Sequence, residues 1–325
     1  MPDKFMSLAS IKAIKKLPQF GVIQALWMEL SWGTFAYYLK KKAKGLYVEV
    51  GGSDLYRESE RPILRLAQKN LIRHADIISS ENEQTKDFFY KVYGNWTKKI
   101  PHRIVRFGVD IIDDLAELKD VSDNNCRNII RSKWNIPDDK CIIMLGYNRN
   151  RAHQHIDLIN ALRRVDKKLI EKCFFIIPMT YGPDDSDYCE SVEDAIKSLT
   201  SQYIILERFM NSREMAETVV LTDILIHVQT TDQLSSTMMA HLYNGNIVIA
   251  GKWLPYSGIK EADIQFWDVD NVADLKDVIP DIVLNIDHYK AICLDNDKKA
   301  YSFSSWECCA KDWFNIYEIL SEGII

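Results

Sequence analysis

The sequence predicts an α/β protein made of two Rossmann-like domains, and three observations carry that prediction. Short apolar runs alternate along the chain with amphipathic stretches of helical length. The runs are apolar at nearly every position, which is what strands of a parallel sheet covered on both faces require. The alternation also breaks once, around Trp134-Asn135-Ile136-Pro137-Asp138-Asp139. A length of 325 residues suits two domains with a core each. A composition of 47% hydrophobic and 27% charged residues excludes a disordered or low-complexity chain.

In the first series, residues 22–26, 46–50, 77–79 and 104–107 read as strands, with a helix over 62–74 that carries Pro62 in its first turn. Residues 17–39 hold a single charge between lysine clusters, as a membrane span would. Glu29 at the centre opposes that, because a carboxylate at mid-bilayer costs about 2.5–3.5 kcal/mol. The stretch reads instead as a buried strand followed by a core helix. The second series places strands at 141–145, 173–178, 203–206, 223–228 and 246–250, with helical stretches at 153–171, 187–200, 211–221 and 233–244. The expected domains are 1–135 and 136–300, with 301–325 as a helix returning toward the first. Seven cysteines, with no C-x-x-C pair and no histidine at metal-binding intervals, read as reduced thiols in a cytosol-type compartment. No signal-peptide pattern opens the chain, so export is not expected.

The net charge of −5 conceals a split. Residues 1–132 hold 22 Lys/Arg against 16 Asp/Glu, and residues 1–106 hold 19 against 10, so the remainder is strongly acidic. Arg61, Arg65, Lys69 and Arg73 recur every four residues, with Lys40-Lys41-Lys42-Ala43-Lys44 nearby. This stripe fits either anionic lipid headgroups or a solvated helix face. A pI of about 5.9 and the lack of any nucleic-acid module argue against nucleic acid.

Ligands of open parallel sheets bind beyond the carboxyl ends of the strands, which singles out the residues just after each one. Gly146-Tyr147-Asn148-Arg149-Asn150-Arg151-Ala152-His153 follows the 141–145 strand and offers a tight turn with two arginines suited to phosphate. Asp232 to Ser236 leads into a helix, where Ser235 and Ser236 would add hydroxyls to an anion-binding terminus, or Asp232 or Thr231 would simply cap it. Tyr181 lies in a turn able to meet a base or sugar. Gly51, Gly52, Ser53 and Asp54 follow the 46–50 strand, with Asp54 either an acceptor-facing carboxylate or a helix cap.

The ordered set Gly51-Gly52-Ser53-Asp54, Phe107-Gly108-Val109-Asp110, Gly146 to His155, and Asp232 to Ile249 resembles GT-B glycosyltransferases of the family-four type. Ile176-Ile177-Pro178-Met179 and His155-Ile156-Asp157 are similar to bacterial fucosamine-type transferases. The resemblance covers about residues 20–325. It implies two Rossmann-like domains facing a cleft and assigns Arg149 and Arg151 to the donor diphosphate. It sets His153 where the family has a lysine, Asp232 near the transferred sugar, and Ser235-Ser236 at the diphosphate-binding helix start. Two departures stand out. Ala240 occupies the position of the glutamate that holds the ribose hydroxyls, and Gly51 that of a cleft histidine. The first domain is also short at its start by one or two βα units, so either the reading frame begins late or a partner chain completes it.

The implied activity is a hexosyl or related transfer from a nucleotide-diphosphate sugar to a lipid-linked or growing saccharide of a surface polysaccharide. The enzyme would be cytoplasmic and peripheral at the inner membrane surface. No metal or other cofactor is expected, the nucleotide sugar being itself the donor. If the reaction inverts configuration, Asp54 is the candidate base. The alternatives are a catalytically impaired or partner-dependent GT-B subunit, motivated by Ala240, and a nucleotide-sugar 2-epimerase of the same fold.

Overall fold

A computed structural model of the chain describes residues 8–120 and 123–323. The chain opens with α1 (Leu8–Lys16), β1 (Phe20–Leu26), α2 (Leu30–Lys40), β2 (Ala43–Glu49), α3 (Ser53–Tyr56), α4 (Pro62–His74), β3 (Ile77–Ser80), α5 (Glu83–Tyr93) and β4 (His102–Ile104). There follow α6 (Ile112–Asp120), α7 (Asp123–Lys133), β5 (Cys141–Leu145), α8 (His155–Leu162), α9 (Lys167–Ile170), β6 (Cys173–Pro178), α10 (Ser186–Leu199), β7 (Tyr203–Leu206), α11 (Ser212–Leu221) and β8 (Ile224–His227). The last stretch holds α12 (Ser236–Tyr243), β9 (Ile247–Gly251), α13 (Ser257–Glu261), β10 (Trp267–Val269), α14 (Leu275–Leu284), α15 (Ile286–Ile292), α16 (Asn296–Ser304) and α17 (Trp306–Glu322).

The chain forms two compact units. The first gathers residues 8–107, Thr231–Leu234 and 307–323. Its sheet runs β1-β2-β3-β4, all parallel and in sequence order. Right-handed crossovers in that order place α2, α4 and α5 on one face. There Ala25, Leu46, Val48 and Ile78 pack with Ala36, Leu71, Ile72 and Phe89. The alternate residues Tyr47, Ile77 and Val105 meet Trp313, Ile316 and Leu320 of α17 on the other face. Strand β2 is thus buried on both sides, which is why its sequence reads as an apolar run.

The second unit, Gly108–Thr230 with Ser235–Trp306, holds a six-stranded parallel sheet of order β10-β9-β8-β5-β6-β7. Its core sets Ile143, Leu145, Phe175, Ile177, Ile226 and Ile249 against Leu158, Leu162, Val192 and Ile279. Asp223, just before β8, accepts the Ile142 backbone N–H at 2.8 Å and pairs with Arg127 at 2.6 Å and with Lys290. Although burial opposes it, those two cations hold the Asp223 carboxyl below its ordinary range.

Several boundaries differ from the sequence reading. The units divide at Phe107/Gly108 rather than at 135/136, because α6 and α7 pack on α11 of the second unit. The final helix joins the first unit from Glu307. The 153–171 stretch breaks into α8 and α9, since Asp166 caps the second piece by accepting the Lys168 N–H at 2.8 Å. Strand β10 has three residues, too few for a periodic signal. Residues 17–39 form β1 and α2, with Glu29 exposed at the start of the helix. Among the described residues no helix is long and apolar enough to cross a membrane. No disulfide joins the cysteines, of which Cys126, Cys173, Cys293 and Cys309 are buried.

Candidate functional site

In the second unit the chain runs outward from β5 in one direction and from β8 in the other, so the two neighbouring strands form the topological switch point. The loops that leave them define its crevice. Gly146 turns with φ 62° while its N–H bonds the Ile226 carbonyl at 3.1 Å. A Cβ there would lie 3.0 Å from His155 Nε2 and 3.1 Å from His153 Cβ, so the turn and the histidines behind it both call for glycine. The Thr230 N–H bonds the Ala152 carbonyl at 2.8 Å and ties the two loops together.

Behind the loops lies an aromatic and imidazole stack. His153, only 2% exposed, meets the Tyr147 ring edge-on at 4.3 Å. Tyr147 stacks on His227 at 5.8 Å, and His227 shares a 2.7 Å hydrogen bond with the Tyr256 hydroxyl. His155 is fully buried against the Tyr188 hydroxyl at 2.9 Å, and burial pushes its imidazole down to about 4. His153, expected where relatives carry a lysine, is therefore packing material for the crevice wall and not an exposed cation.

The two arginines separate in role. Arg151 makes a bidentate ion pair with Asp185, at 2.6 and 2.9 Å, and lies 4.6 Å over the Tyr188 ring. Asp185 in turn caps α10 through the Tyr188 N–H at 3.2 Å. Arg149 is held by its backbone N–H to the Tyr181 carbonyl at 3.0 Å, and its side chain makes one long bond, 3.4 Å to the Gly182 carbonyl. Among the described residues no hydrogen bond or ion pair engages the terminal amino groups of Arg149, which leaves them for a ligand. Tyr181 is exposed beside it. At the start of α12, the buried Ser235 hydroxyl accepts the Met238 N–H at 3.1 Å and serves as the cap, while Ser236 is exposed. Ala240 is fully buried, as are Met239 and His241 on either side, so position 240 points into the protein and not onto an open ribose-binding wall. A separate cavity of 430 Å³, lined by Arg127, Thr222, Asn246 and Lys290, lies at the opposite, amino ends of β8 and β9.

In the first unit the residues after β2 and β3 form a second cluster. Asp54 is 1% exposed. One of its oxygens accepts the Met28 and Gly51 N–H groups at 2.7 and 3.2 Å, and the other the Leu55 N–H at 2.9 Å. Burial raises its carboxyl to about 6 against the pull of those bonds. This is a clip joining the end of β1 to the loop after β2, and it corrects the reading of Asp54 as an acceptor-facing base. Ser53 opens the short α3 beside it.

Gly51 has a local cause as well. Trp27, at φ 59° and 46% exposed, lays its indole over that glycine and donates Nε1–H to the Gly51 carbonyl at 3.3 Å. A Cβ on residue 51 would sit 1.5 Å from Trp27 Cδ1, so no histidine fits there. Gly52, at φ 88°, abuts Gln233.

Segment Thr231–Leu234 seats on these loops. Gln233 Nε2 donates to the Val50 carbonyl and to Glu81 Oε1, both at 2.9 Å, while its own carbonyl accepts Asn82 Nδ2–H at 2.8 Å. Asp232 stands close enough that its charge helps raise the Glu81 carboxyl, which burial has already pushed up, to about 8. Glu49, at the end of β2, rises to about 9 through burial and then Glu81. The structure thus brings Asp232 to Glu81, and Gly51 to Asp54, within the first unit. The sequence reading passed over Glu81, Gln233 and Trp27, although Glu81 and Trp27 stand just after β3 and β1, where the strand-end rule points.

No protein-family model matches the chain, and no curated protein matches it. Solved structures do. A sucrose-phosphate synthase from Thermosynechococcus elongatus superposes with a TM-score of 0.74 at 13% identity, covering 92% of this chain and 73% of its own. Anabaena HepE, solved with UDP and glucose, gives 0.72 at 13% identity over 95% and 81%. A glycosyltransferase from Rickettsia africae gives 0.69 at 14% identity over 98% and 84%. The fold is that of the GT-B glycosyltransferases, two Rossmann-like domains.

Proposed function

We propose that the chain transfers a sugar from a nucleotide-diphosphate donor to a growing or lipid-linked saccharide. The observation that carries this reading is the switch-point crevice, whose two loops present Arg149 and the exposed Ser236 at a helix start on adjacent strands. Solved neighbours that hold UDP, or UDP-glucose, support the choice of donor class.

In this reading the diphosphate lies across the start of α12, where first-turn N–H groups and Ser236 donate to phosphate oxygens. Arg149 supplies a two-pronged cationic partner, and Arg151 steadies the wall through its ion pair with Asp185. As the glycosidic bond to the donor breaks, negative charge accumulates on the departing diphosphate. Donors already aimed at it lower the barrier without reorganisation. Asp232, beside Glu81, is the carboxylate we assign to the reacting sugar and acceptor hydroxyl.

Titration calorimetry of the full chain with UDP and with GDP tests the reading. At least one should bind, and Arg149→Ala should weaken it by about 1.5–3 kcal/mol, the loss of a charged hydrogen-bonding partner. Failure of both nucleotides to bind, or binding indifferent to Arg149→Ala, would overturn the donor site.

A further inference from the structure

Helices α1, α2 and α4 of the first unit have an unusual charge distribution, in contrast to α5, which carries Glu83 and Asp87. Helix α1 packs on α2, and α2 on α4. Across Leu8–Lys16, Leu30–Lys40 and Pro62–His74 there is no aspartate or glutamate, while Lys12, Lys15, Lys16, Lys40, Arg65, Lys69 and Arg73 all occur there. Lys41 and Lys42 follow α2 directly. Lys40 is neutralised by Asp76, but Lys12, Lys15, Lys41, Arg65, Lys69 and Arg73 form no ion pair among the described residues. The chain as a whole carries −5, so a cationic face this free of carboxylates is a local feature and not an average one.

Large apolar side chains stand out of the same face. Ile63 is 76% and Leu66 67% exposed, and Tyr37 is exposed with Lys41 Nζ 4.4 Å over its ring. Positions 62, 66, 69 and 73 share one side of α4, so Leu66 projects beside Lys69 and Arg73. Asn70 Nδ2 bonds the Gly33 carbonyl, and the His74 ring lies 6.0 Å from Tyr37, so the outward sides of α4 and α2 are continuous. Aliphatic groups ringed by unpaired cations are the pattern of a helix lying in a headgroup layer: the apolar groups enter the acyl boundary and the cations meet lipid phosphates. A phosphodiester backbone would be met by the cations alone and gives Ile63 and Leu66 nothing to enter.

We infer that the α1–α2–α4 face docks on an anionic lipid surface, with Ile63 and Leu66 inserted and Lys41, Lys69 and Arg73 on the headgroups. This holds whatever reaction the crevice performs, so its failure and that of the transfer reading are separable.

Flotation of the full chain with vesicles tests it, comparing phosphatidylcholine alone with an equimolar phosphatidylcholine–phosphatidylglycerol mixture. Binding should require the anionic lipid and fade as salt rises. Lys41→Gln with Lys69→Gln should weaken it about fivefold per charge, the equivalent of about 1 kcal/mol each. Ile63→Ser with Leu66→Ser should weaken it at least tenfold while leaving nucleotide binding and the melting transition as they were. Equal binding to neutral vesicles, no binding to either, or retention by the serine variant would overturn the inference. So would a short DNA duplex that binds this face as tightly in the serine variant as in the parent.

Discussion

Glu49→Gln should stabilise the protein in mild alkali and leave it nearly unchanged in mild acid. Glu49 is 2% exposed; one oxygen accepts Gln24 Nε2–H at 3.0 Å, and burial followed by the charge of Glu81 lifts its carboxyl from 4.5 to about 9. The unfolded chain releases this proton near 4.5, whereas the folded chain keeps it until about 9. Between those values the folded state binds more protons than the unfolded one, so stability falls as pH rises. The slope has a ceiling of about 1.4 kcal/mol per pH unit for one group, or about 4 kcal/mol between about pH 5 and pH 8. Glu81, lifted to about 8, pulls in the same direction. Glutamine keeps an oxygen for Gln24 but has no proton to lose. Urea unfolding midpoints for parent and variant at about pH 5, 7 and 8.5 should therefore converge in acid and separate in alkali, the variant being the more stable. A variant with the parent's slope, or one weaker than the parent at pH 8.5, would refute the reasoning.

Two further substitutions follow from packing. Gly51→Ala should drive the Trp27 indole off its seat, because the new Cβ would fall 1.5 Å from Cδ1, at a cost of about 1–3 kcal/mol. A fluorotryptophan resonance of Trp27 that does not move would contradict this. Ala240→Glu restores the residue that the family resemblance leads one to expect, yet position 240 is fully enclosed. The expected outcome is a stability loss of about 2–5 kcal/mol from overpacking and a buried carboxylate, with no gain in UDP affinity. Tighter UDP binding by calorimetry would show that the side chain reaches ribose after all.

Much of the fold was legible because the central strands are buried on both faces. Residues 141–145, 173–178 and 203–206 stand as strands where the apolar runs lay, and α4 spans 62–74 with Pro62 at its start. The domain boundary was not legible. The polar break at 134–139 looks like a linker, but the contacts that set the division, α6 and α7 against α11, join residues far apart in sequence. What position alone decides was legible, such as the tight turn at Gly146 and the placing of Arg149 in the loop after β5. What a partner decides was not. Asp54 has the look of a free carboxylate until three backbone N–H groups are found on it, and Arg151 that of a free guanidinium until Asp185 is. Gly51 reads as missing a histidine until the Trp27 ring is found above it.

The partnership of α17 with the first unit also sets an order of events at the ribosome. Trp313 Nε1 bonds the Arg106 carbonyl across 207 residues, and Tyr317 bonds Gln24 across 293. At about 5–20 residues per second, β1 to β4 wait on the order of ten seconds or more, with Tyr47, Ile77 and Val105 uncovered, before their covering helix emerges. The whole second unit is made and able to fold within that interval. The part of the chain synthesised first is therefore the part completed last, and a chaperone that shields half-finished sheets would find its binding surface there.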